Sequence, residues 1–268
     1  MNKLKSLIIA PLFIGLISVS CSSDDGSSTK AECIEHFNYD ETTVEGPSSW
    51  DNYCVADGSV NQCGSVVRQS PINITGAVMD PTLPMLDIQY STSSTDILNN
   101  GHTIQFNYNG PLTSTLNFGG ERYNLLQFHF HASSEHTVAG DHHPLEAHLV
   151  HKSASGDLAV IGVFFKLGAE NSLLSEFTEH LPSHKGDTYT KTDLNYMVSD
   201  LISEGGYYNY SGSLTTPPCS EIVEWIVMEE PLEASQAQLD AFSSILHDNY
   251  RPVQPLNGRT IKHRPSVF

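Results

Sequence analysis

This sequence has few basic residues and few long apolar runs. Its 268 residues include 13 Lys and Arg against 31 Asp and Glu, which gives a formal net charge of −18. Nucleic acid is therefore excluded as an expected partner, because binding to a phosphate backbone needs clustered Lys and Arg. After residue 20, no segment reaches the ~20 apolar residues that a helix needs to span a bilayer. We expect an acidic globular protein with a well-solvated surface.

Cysteine is also sparse, and its spacing does not fit the usual thiolate zinc sites. The chain has five cysteines and no CxxC pair, and it lacks the HExxH motif of zinc peptidases. Setting Cys21 aside leaves four cysteines, at positions 33, 54, 63 and 219, which allow three disulfide connectivities. The residues by themselves leave all three open.

The N-terminus has the features of a bacterial export signal. Two lysines precede a run of apolar residues, so residues 1–20 are predicted to be a signal peptide. Cys21 follows directly, as in lipoprotein precursors, although Ser18 stands where a lipobox usually has leucine. Either Cys21 becomes a lipidated N-terminus that tethers the protein to a membrane through the flexible residues 21–30, or ordinary cleavage leaves it incidental. Both alternatives predict an exported protein of the periplasm or cell envelope, where disulfides can form.

The remaining residues, 31–268, are predicted to form one domain, since they contain no linker, repeat or low-complexity stretch. Apolar residues at helical spacing predict two short helices, at 172–181 after Asn171 and at 236–247, where Ser235 and Gln238 fit a capping box. The domain is expected to be β-dominated mixed α+β, with its few short helices at the periphery. Runs rich in aromatic and β-branched residues predict strands at 103–108, 113–118, 123–131, 145–151, 158–166 and 222–228.

Three histidines in two of these strands are the strongest functional signal. Successive side chains of a strand point to opposite faces, so His129 and His131 share a face in QFHFH (127–131). His148 lies in LEAHLVH (145–151), and three imidazoles converge if the two strands are neighbours. Three neutral imidazoles with one open position are typical of a catalytic zinc site rather than a structural one. The sequence therefore predicts a bound zinc ion.

Two polar residues lie where a metal-bound histidine needs a partner. Gln127 is two residues before His129, and Glu146 is two residues before His148, each on the face of its histidine. A metal-bound imidazole nearly always donates its other N–H to a carboxylate, amide or carbonyl, which fixes the tautomer. Incidental histidines would not need partners in these places, so the arrangement favours metal binding.

A cupin barrel is the main alternative among metal enzymes. His129, His131 and Glu135 satisfy the HxHxxxE pattern of cupins, which use iron or manganese. The glycines that cupins place at fixed offsets are absent, and a cupin site would leave His148 and Glu146 unexplained. Iron or manganese in place of zinc would favour the cupin.

Eight motifs together make the chain closely resemble the α-class carbonic anhydrases, from about residue 36 to residue 261. The resemblance implies a single domain on a large, twisted, mostly antiparallel central sheet, with the metal at the base of a conical cleft. It also implies a Zn2+ cofactor and the reversible hydration of carbon dioxide to bicarbonate and a proton, by attack of zinc-bound hydroxide. The motifs are RQSPINI (68–74), LNNGH (98–102), QFHFH (127–131), SEHTV (134–138), LEAHLVH (145–151), LAVIGVF (158–164), GSLTTPPC (212–219) and NYRPVQPL (249–256).

The resemblance also implies a role for individual residues at the metal. Thr215 would accept a hydrogen bond from the zinc-bound hydroxide, because it donates its only proton to Glu135. A lone pair of the nucleophile would thereby point at the substrate carbon. The implied ligands are His129, His131 and His148, and their hydrogen-bond partners are Gln127, Glu146 and the backbone carbonyl of Asn249.

Further residues are implied for substrate binding and proton transfer. An imidazole suits a proton shuttle because its ordinary pKa is ~6.5, and His102 occupies the shuttle position of the family. The water chain that leads to it would be lined by Tyr39, Asn100 and Gln105. The substrate would lie against Thr215, Thr216, Val150, Val160, Leu214 and Trp225.

The resemblance implies one disulfide, and two further cysteines then remain as a second pair. Cys63 and Cys219 occupy the positions of a disulfide found in bacterial relatives, and Cys33 with Cys54 is the remaining pair. Some relatives have lost a zinc ligand and act without catalysis, but here every implied ligand is present, together with Thr215. An enzyme that acts on carbon dioxide and bicarbonate is therefore expected, with no prediction for its oligomeric state.

Overall fold

A computed structural model gives the fold of most of the chain. The structure describes residues 33–56, 58–109, 114–192, 197–203 and 205–266. The predicted signal peptide, Cys21 and the predicted tether at 21–30 lie outside the described residues. Within the described ranges, no helix combines the length and the apolar character that crossing a membrane would require.

Strands dominate the part of the chain that the structure describes. The first eight are β1 (Asn73–Ile74), β2 (Val78–Met79), β3 (Asp87–Gln89), β4 (Thr95–Asn99), β5 (Ile104–Tyr108), β6 (Thr115–Phe118), β7 (Glu121–His131) and β8 (Thr137–Val138). The others are β9 (Asp141–His142), β10 (Leu145–Ser153), β11 (Leu158–Leu167), β12 (Thr188–Lys191), β13 (Tyr207–Gly212), β14 (Val223–Met228), β15 (Leu232–Ala234) and β16 (Lys262–Arg264).

Two short α-helices, α1 (Ser172–Thr178) and α2 (Gln236–Leu246), confirm the helix predictions, and 3-10 helices occur at Pro47–Asn52 and Val198–Leu201. Asn171 caps α1, and Ser235 forms the predicted capping box with Gln238 at the start of α2. Helix α1 ends three residues earlier than predicted. Its last turn tightens, with the His180 N–H donating to the Phe177 carbonyl, because the approach to Pro182 disfavours helical geometry.

The large sheet has thirteen strands among the described residues, ten of them in the order β12-β4-β5-β7-β10-β11-β14-β13-β16-β2. Strands β3 and β6 extend from β7, and β15 pairs with β11. Most neighbours are antiparallel; β11 runs parallel to β14 and β15, and β16 runs parallel to β2. Strands β1, β8 and β9 form a small separate sheet. The β-dominated fold with a mostly antiparallel central sheet is therefore confirmed.

One face of the central sheet is covered by the helices. Phe128 and Phe130 of β7 are buried on this face, and Phe242 of α2 packs 4.6 Å from Phe130 between ring centroids. Phe177 of α1 lies 4.8 Å from Phe106 of β5 in the same way. Because side chains alternate along a strand, the histidines of β7 point to the opposite face. The core thus fixes the strands that carry the candidate site and leaves their other face free for it.

Candidate metal centre

Neighbouring strands β7 and β10 bring the three predicted histidines together. The strands pair antiparallel, with His148 opposite His129 and Glu146 opposite His131. One nitrogen from each of His129, His131 and His148 lies within 4.8 Å of the others. The structure therefore forms the three-imidazole cluster that strand parity predicts.

Each imidazole is held by a hydrogen bond on the side away from the cluster. A neutral imidazole that donates from one nitrogen presents a lone pair on the other, so these bonds leave His129 Nε2, His131 Nε2 and His148 Nδ1 able to bind a metal. The bonds join His129 Nδ1 to Gln127 Oε1 (2.9 Å), His131 Nδ1 to the Asn249 carbonyl (2.6 Å), and His148 Nε2 to Glu146 Oε1 (2.8 Å).

The chemistry of this cluster fits a bound metal ion. His131 Nε2 is buried and has no hydrogen-bond partner among the described residues. A buried polar atom left unpaired costs about 1–3 kcal/mol, and a metal ligated by that nitrogen would offset the cost. Three imidazole nitrogens are also the donor set of catalytic zinc sites with an open fourth position.

Burial keeps two of the rings in the form that binds metals. It lowers the pKa of His129 well below the usual value, and the neighbouring His131 and His148 lower it further. Burial also lowers the pKa of His131, against the opposing charge of Glu135. Burial disfavours the charged form of His148 as well, but the Glu146 carboxylate outweighs it and raises the pKa of His148. His129 and His131 are therefore neutral at neutral pH, as metal ligation requires.

Glu146 organises more of the site than its one predicted bond. Its Oε1 accepts from His148 and from His136 Nδ1 (2.8 Å), and its Oε2 accepts from the N–H groups of Glu135 (2.8 Å) and His136 (2.9 Å). Burial would raise the pKa of Glu146, but these two histidines lower it well below the usual value. Gly162 of β11 makes room for it, since a Cβ there would lie 3.0 Å from Glu146 Oε1. Gly162 was not among the predicted site residues, although a glycine inside an apolar strand often marks a close approach of another group.

Glu135 and Thr215 are the two buried residues between which the resemblance implies a hydrogen bond. Thr215 is buried in the loop after β13. Glu135 Oε1 accepts a hydrogen bond from the backbone N–H of Arg251 (2.9 Å). Glu135 Oε2 is buried and lies 3.5 Å from His131 Nε2, and it has no hydrogen-bond partner in the described part of the chain. The bond between them stays a prediction, and Glu135 keeps an acceptor available for it.

The residues implied for the apolar wall lie beside the histidines. Val150 shares the His148 face of β10, and Val160 is opposite Trp225 in the register of β11 and β14. The Trp225 ring centroid is 4.8 Å from that of His148, and its N–H donates to the Ser213 carbonyl (3.0 Å). Leu214 packs against the same apolar cluster. Thr216 lies in the following turn, where its carbonyl accepts from the N–H of Cys219 (2.8 Å).

His102 lies in a half-buried turn between β4 and β5. Asn100 Oδ1 accepts from the N–H groups of His102 and Thr103 (both 2.9 Å), and Asn249 Nδ2 donates to the His102 carbonyl (3.0 Å). The His102 ring stacks on Phe37, with centroids 3.9 Å apart and planes 12° apart. The contacts of Phe37 and of the Asn249 side chain were not predicted, since no local pattern links residues so far apart in sequence.

The other residues of the implied water chain are Gln105, Asn100 and Tyr39. Gln105 is opposite His129 in the pairing of β5 with β7, and its side chain donates to Asn107 Oδ1 (2.6 Å). Asn100 Nδ2 lies 3.5 Å from Gln105 Oε1. Burial raises the pKa of Tyr39, and the charge of Glu135 raises it further. Tyr39 is therefore electrostatically coupled to the site and stays protonated.

The four cysteines form two disulfides in the structure. Cys63 pairs with Cys219, with 4.8 Å between Cα atoms, and so ties the N-terminal region to the loop that carries Thr215. Cys33 pairs with Cys54, with Cα atoms 5.3 Å apart. Of the three connectivities that the sequence allows, this is the one that the resemblance favours.

Comparison with known proteins identifies the family of this chain. The model of the eukaryotic-type carbonic anhydrase family matches residues 45–265. The chain belongs to this family, the α-carbonic anhydrases.

Relatives and solved structures agree with the family assignment. A carbonic anhydrase of Klebsiella pneumoniae is 43% identical over 230 residues, covering 84% of this chain and 90% of that protein. The α-carbonic anhydrase of Thermovibrio ammonificans, solved with the inhibitor sulfanilamide, has a TM-score of 0.76 and 41% identity, covering 85% of this chain and 99% of that one. A hyperthermostable carbonic anhydrase from a hydrothermal vent chimney has a TM-score of 0.77 and 42% identity, with coverages of 85% and 99%. The cupin alternative is therefore wrong, and the chain is an enzyme of the carbonic anhydrase family.

Proposed function

We propose that this protein catalyses the reversible hydration of carbon dioxide to bicarbonate and a proton, with Zn2+ held by His129, His131 and His148. The observation that carries the proposal is the cluster of three imidazoles, each fixed by an outward hydrogen bond, with the buried Nε2 of His131 unpaired. Zinc held there would act as a Lewis acid and lower the pKa of a bound water from ~15.7 to about 7, which supplies a nucleophile near neutral pH.

Thr215 would orient the nucleophilic oxygen. A hydroxyl has one proton to donate, so a Thr215 that donates to Glu135 can only accept from the nucleophile. The buried, unpaired Oε2 of Glu135 supports this role, because it needs a donor and Thr215 is the implied one. Thr216, in the same turn, would contact the substrate beside it.

The apolar wall would hold carbon dioxide without hydrogen-bonding it. Val150, Val160 and Trp225 are nearly fully buried and form one cluster with Leu214. A small uncharged molecule gains from leaving water for such a surface, whereas bicarbonate, which is charged, does not. The wall therefore favours entry of the substrate and release of the product.

His102 would carry the product proton to the solvent. Burial lowers its pKa, and the nearby charges of Lys185 and His36 lower it further. A ring nitrogen could therefore accept a proton from the water chain beside Tyr39, Asn100 and Gln105 and release it readily to buffer. The fixed position of the turn supports this assignment, because the Asn100 and Asn249 side chains hold its backbone.

We also propose that the enzyme works outside the cytoplasm. Disulfides persist in oxidising compartments, and the structure forms two of them. Together with the predicted signal peptide, they support a location in the bacterial periplasm or cell envelope, with Cys21 as the candidate site of a lipid tether.

The proposal is tested by stopped-flow carbon dioxide hydration with purified protein of residues 31–268. We expect activity that a zinc chelator abolishes and that added zinc restores. A matched control replaces His142, an exposed histidine outside the cluster, with alanine and should keep this behaviour. A folded protein that hydrates carbon dioxide no faster with zinc than without it would refute the proposal.

A further inference from the structure

The Cys33–Cys54 disulfide closes a loop that is built around aromatic side chains. Cys33 and Cys54 are 21 positions apart in sequence, and the strand-like Ile34 hydrogen-bonds across the loop to Asn52 (2.9 Å) and Cys54 (2.8 Å). Trp50 is fully buried at its centre, and its N–H donates to the carbonyls of residues 38 (3.2 Å) and 45 (3.0 Å). The loop therefore has a defined conformation without belonging to either sheet.

Phe37 is held inside this loop by the edges of its neighbours. Its ring centroid lies 5.3 Å from that of Trp50 and 5.9 Å from that of Tyr53, with the planes 76° and 82° apart. Tyr39 packs at 6.2 Å in the same edge-on manner. Edge-to-face contacts of this kind fix the orientation of a ring. Phe37 is thus oriented by residues that the disulfide holds in place.

The free face of Phe37 lies flat against His102. Their centroids are 3.9 Å apart and their planes differ by 12°. A phenyl face attracts a protonated imidazole through its quadrupole and also stacks on the neutral ring. The contact therefore favours one orientation of the His102 ring in both of the protonation states that a shuttle alternates between.

We propose that the Cys33–Cys54 loop is a positioning element for proton transfer, in which Phe37 holds the His102 ring at the end of the water path. The inference rests on the proposed role of His102. The ring of Phe37 would act through its contact with His102 and not on the reacting atoms, so Phe37 is a positioning residue and not a catalytic one. Tyr39 belongs to the same loop, where its ring packs edge-on against Trp50 with centroids 5.6 Å apart.

Substitution of Phe37 should affect proton release and spare carbon dioxide attack. Phe37→Leu keeps an apolar side chain but removes the flat face, so we expect kcat in weak buffer to fall about two- to tenfold, with kcat/KM changed less than twofold. Added imidazole should restore kcat, and Phe37→Trp, which keeps a flat face, should retain it. The control is Tyr189→Leu, which removes a similar stack (4.3 Å, 16°) on the exposed His180 and should change neither constant.

A second variant tests the loop itself. Cys33→Ser combined with Cys54→Ser should lower kcat in weak buffer in the same way as Phe37→Leu. In histidine NMR spectra, the ring protons of His102 should show an upfield ring-current shift in the unaltered protein, and both variants should lose it. This readout does not require metal or turnover.

Combination with His102→Ala separates the two proposals. In that background Phe37→Leu should have no further effect on kcat. If His102→Ala alone leaves kcat unchanged, the shuttle assignment fails and this inference fails with it. If His102→Ala does lower kcat, the positioning role alone can still be overturned. Any one of three results for Phe37→Leu would overturn it: an equal fall in kcat with and without His102, a parallel fall in kcat/KM, or an unchanged ring-current shift of His102.

Discussion

Replacement of Glu146 by glutamine would test how the protein fixes the metal-binding tautomer of His148. The carboxylate accepts four hydrogen bonds, two from imidazoles at Oε1 and two from backbone N–H groups at Oε2. Glutamine is nearly the same size but turns one acceptor into a donor. In either orientation of the glutamine amide, its NH2 group faces two of the four donor groups, so two of the four hydrogen bonds cannot form in their original direction.

Both orientations of the amide weaken zinc binding or the fold. With its NH2 toward the backbone, two buried N–H groups lose their acceptor, at about 1–3 kcal/mol each. With its NH2 toward the imidazoles, His148 must accept at Nε2 and so carry its proton on Nδ1, the nitrogen that would bind the metal. Changes to such partners typically cost 10–100-fold in metal affinity. We therefore expect a loss of about 1.4–2.7 kcal/mol in the free energy of zinc binding.

The assay is competition for zinc against a chelator of known affinity, with Glu121→Gln as the matched control. Glu121 is an exposed glutamate at the start of β7, and its substitution should leave zinc affinity unchanged. Urea unfolding of the zinc-free proteins would measure the cost to the fold separately. A Glu146→Gln protein with the zinc affinity and stability of the original would refute the reasoning.

Three further predictions follow from other parts of the site. Because burial and the charges of Lys185 and His36 lower the pKa of His102, the ring stays a proton acceptor at lower pH than a free histidine. The acid limb of kcat in weak buffer should therefore have its midpoint below 6.5, and a midpoint above 6.5 would contradict this. Thr215→Ala should lower kcat/KM about 100-fold with zinc content unchanged, whereas Thr215→Ser should keep most activity, and equal rates for the two would dismiss the orienting hydroxyl. Cys63→Ser with Cys219→Ser should lower the free energy of unfolding by up to about 5 kcal/mol in denaturant titrations, and a change below about 1 kcal/mol would show that the disulfide does not stabilise the fold.

Local patterns predicted the parts of the fold that local physics determines. The alternation in QFHFH placed the two histidines on one face of the strand, because the side-chain period of a strand is fixed, and Phe128 and Phe130 lie buried on the other face. The helix starts at Asn171 and Ser235 were also predicted, since capping depends on residues only two or three positions apart.

Elements that depend on distant contacts were missed. Strand β13, YYNYSG, has no clear alternation, and its Asn209 is buried because Glu224 and the Trp225 carbonyl satisfy its amide. The Phe37–His102 stack has no local signal at all, because it joins two residues 65 positions apart in sequence. The Glu135–Thr215 bond was implied by resemblance alone and stays a prediction, because strand parity does not dictate side-chain contacts between loops.

The most direct test of the whole account is zinc-edge X-ray absorption on the purified, zinc-loaded protein, with metal content measured on the same sample. We predict one zinc per chain with three imidazole nitrogens at about 2.0–2.1 Å and one solvent oxygen. Loss of an imidazole from the spectrum of His131→Ala would assign the ligands. A folded protein that takes up no zinc, or that holds it with fewer than three imidazoles, would contradict the account.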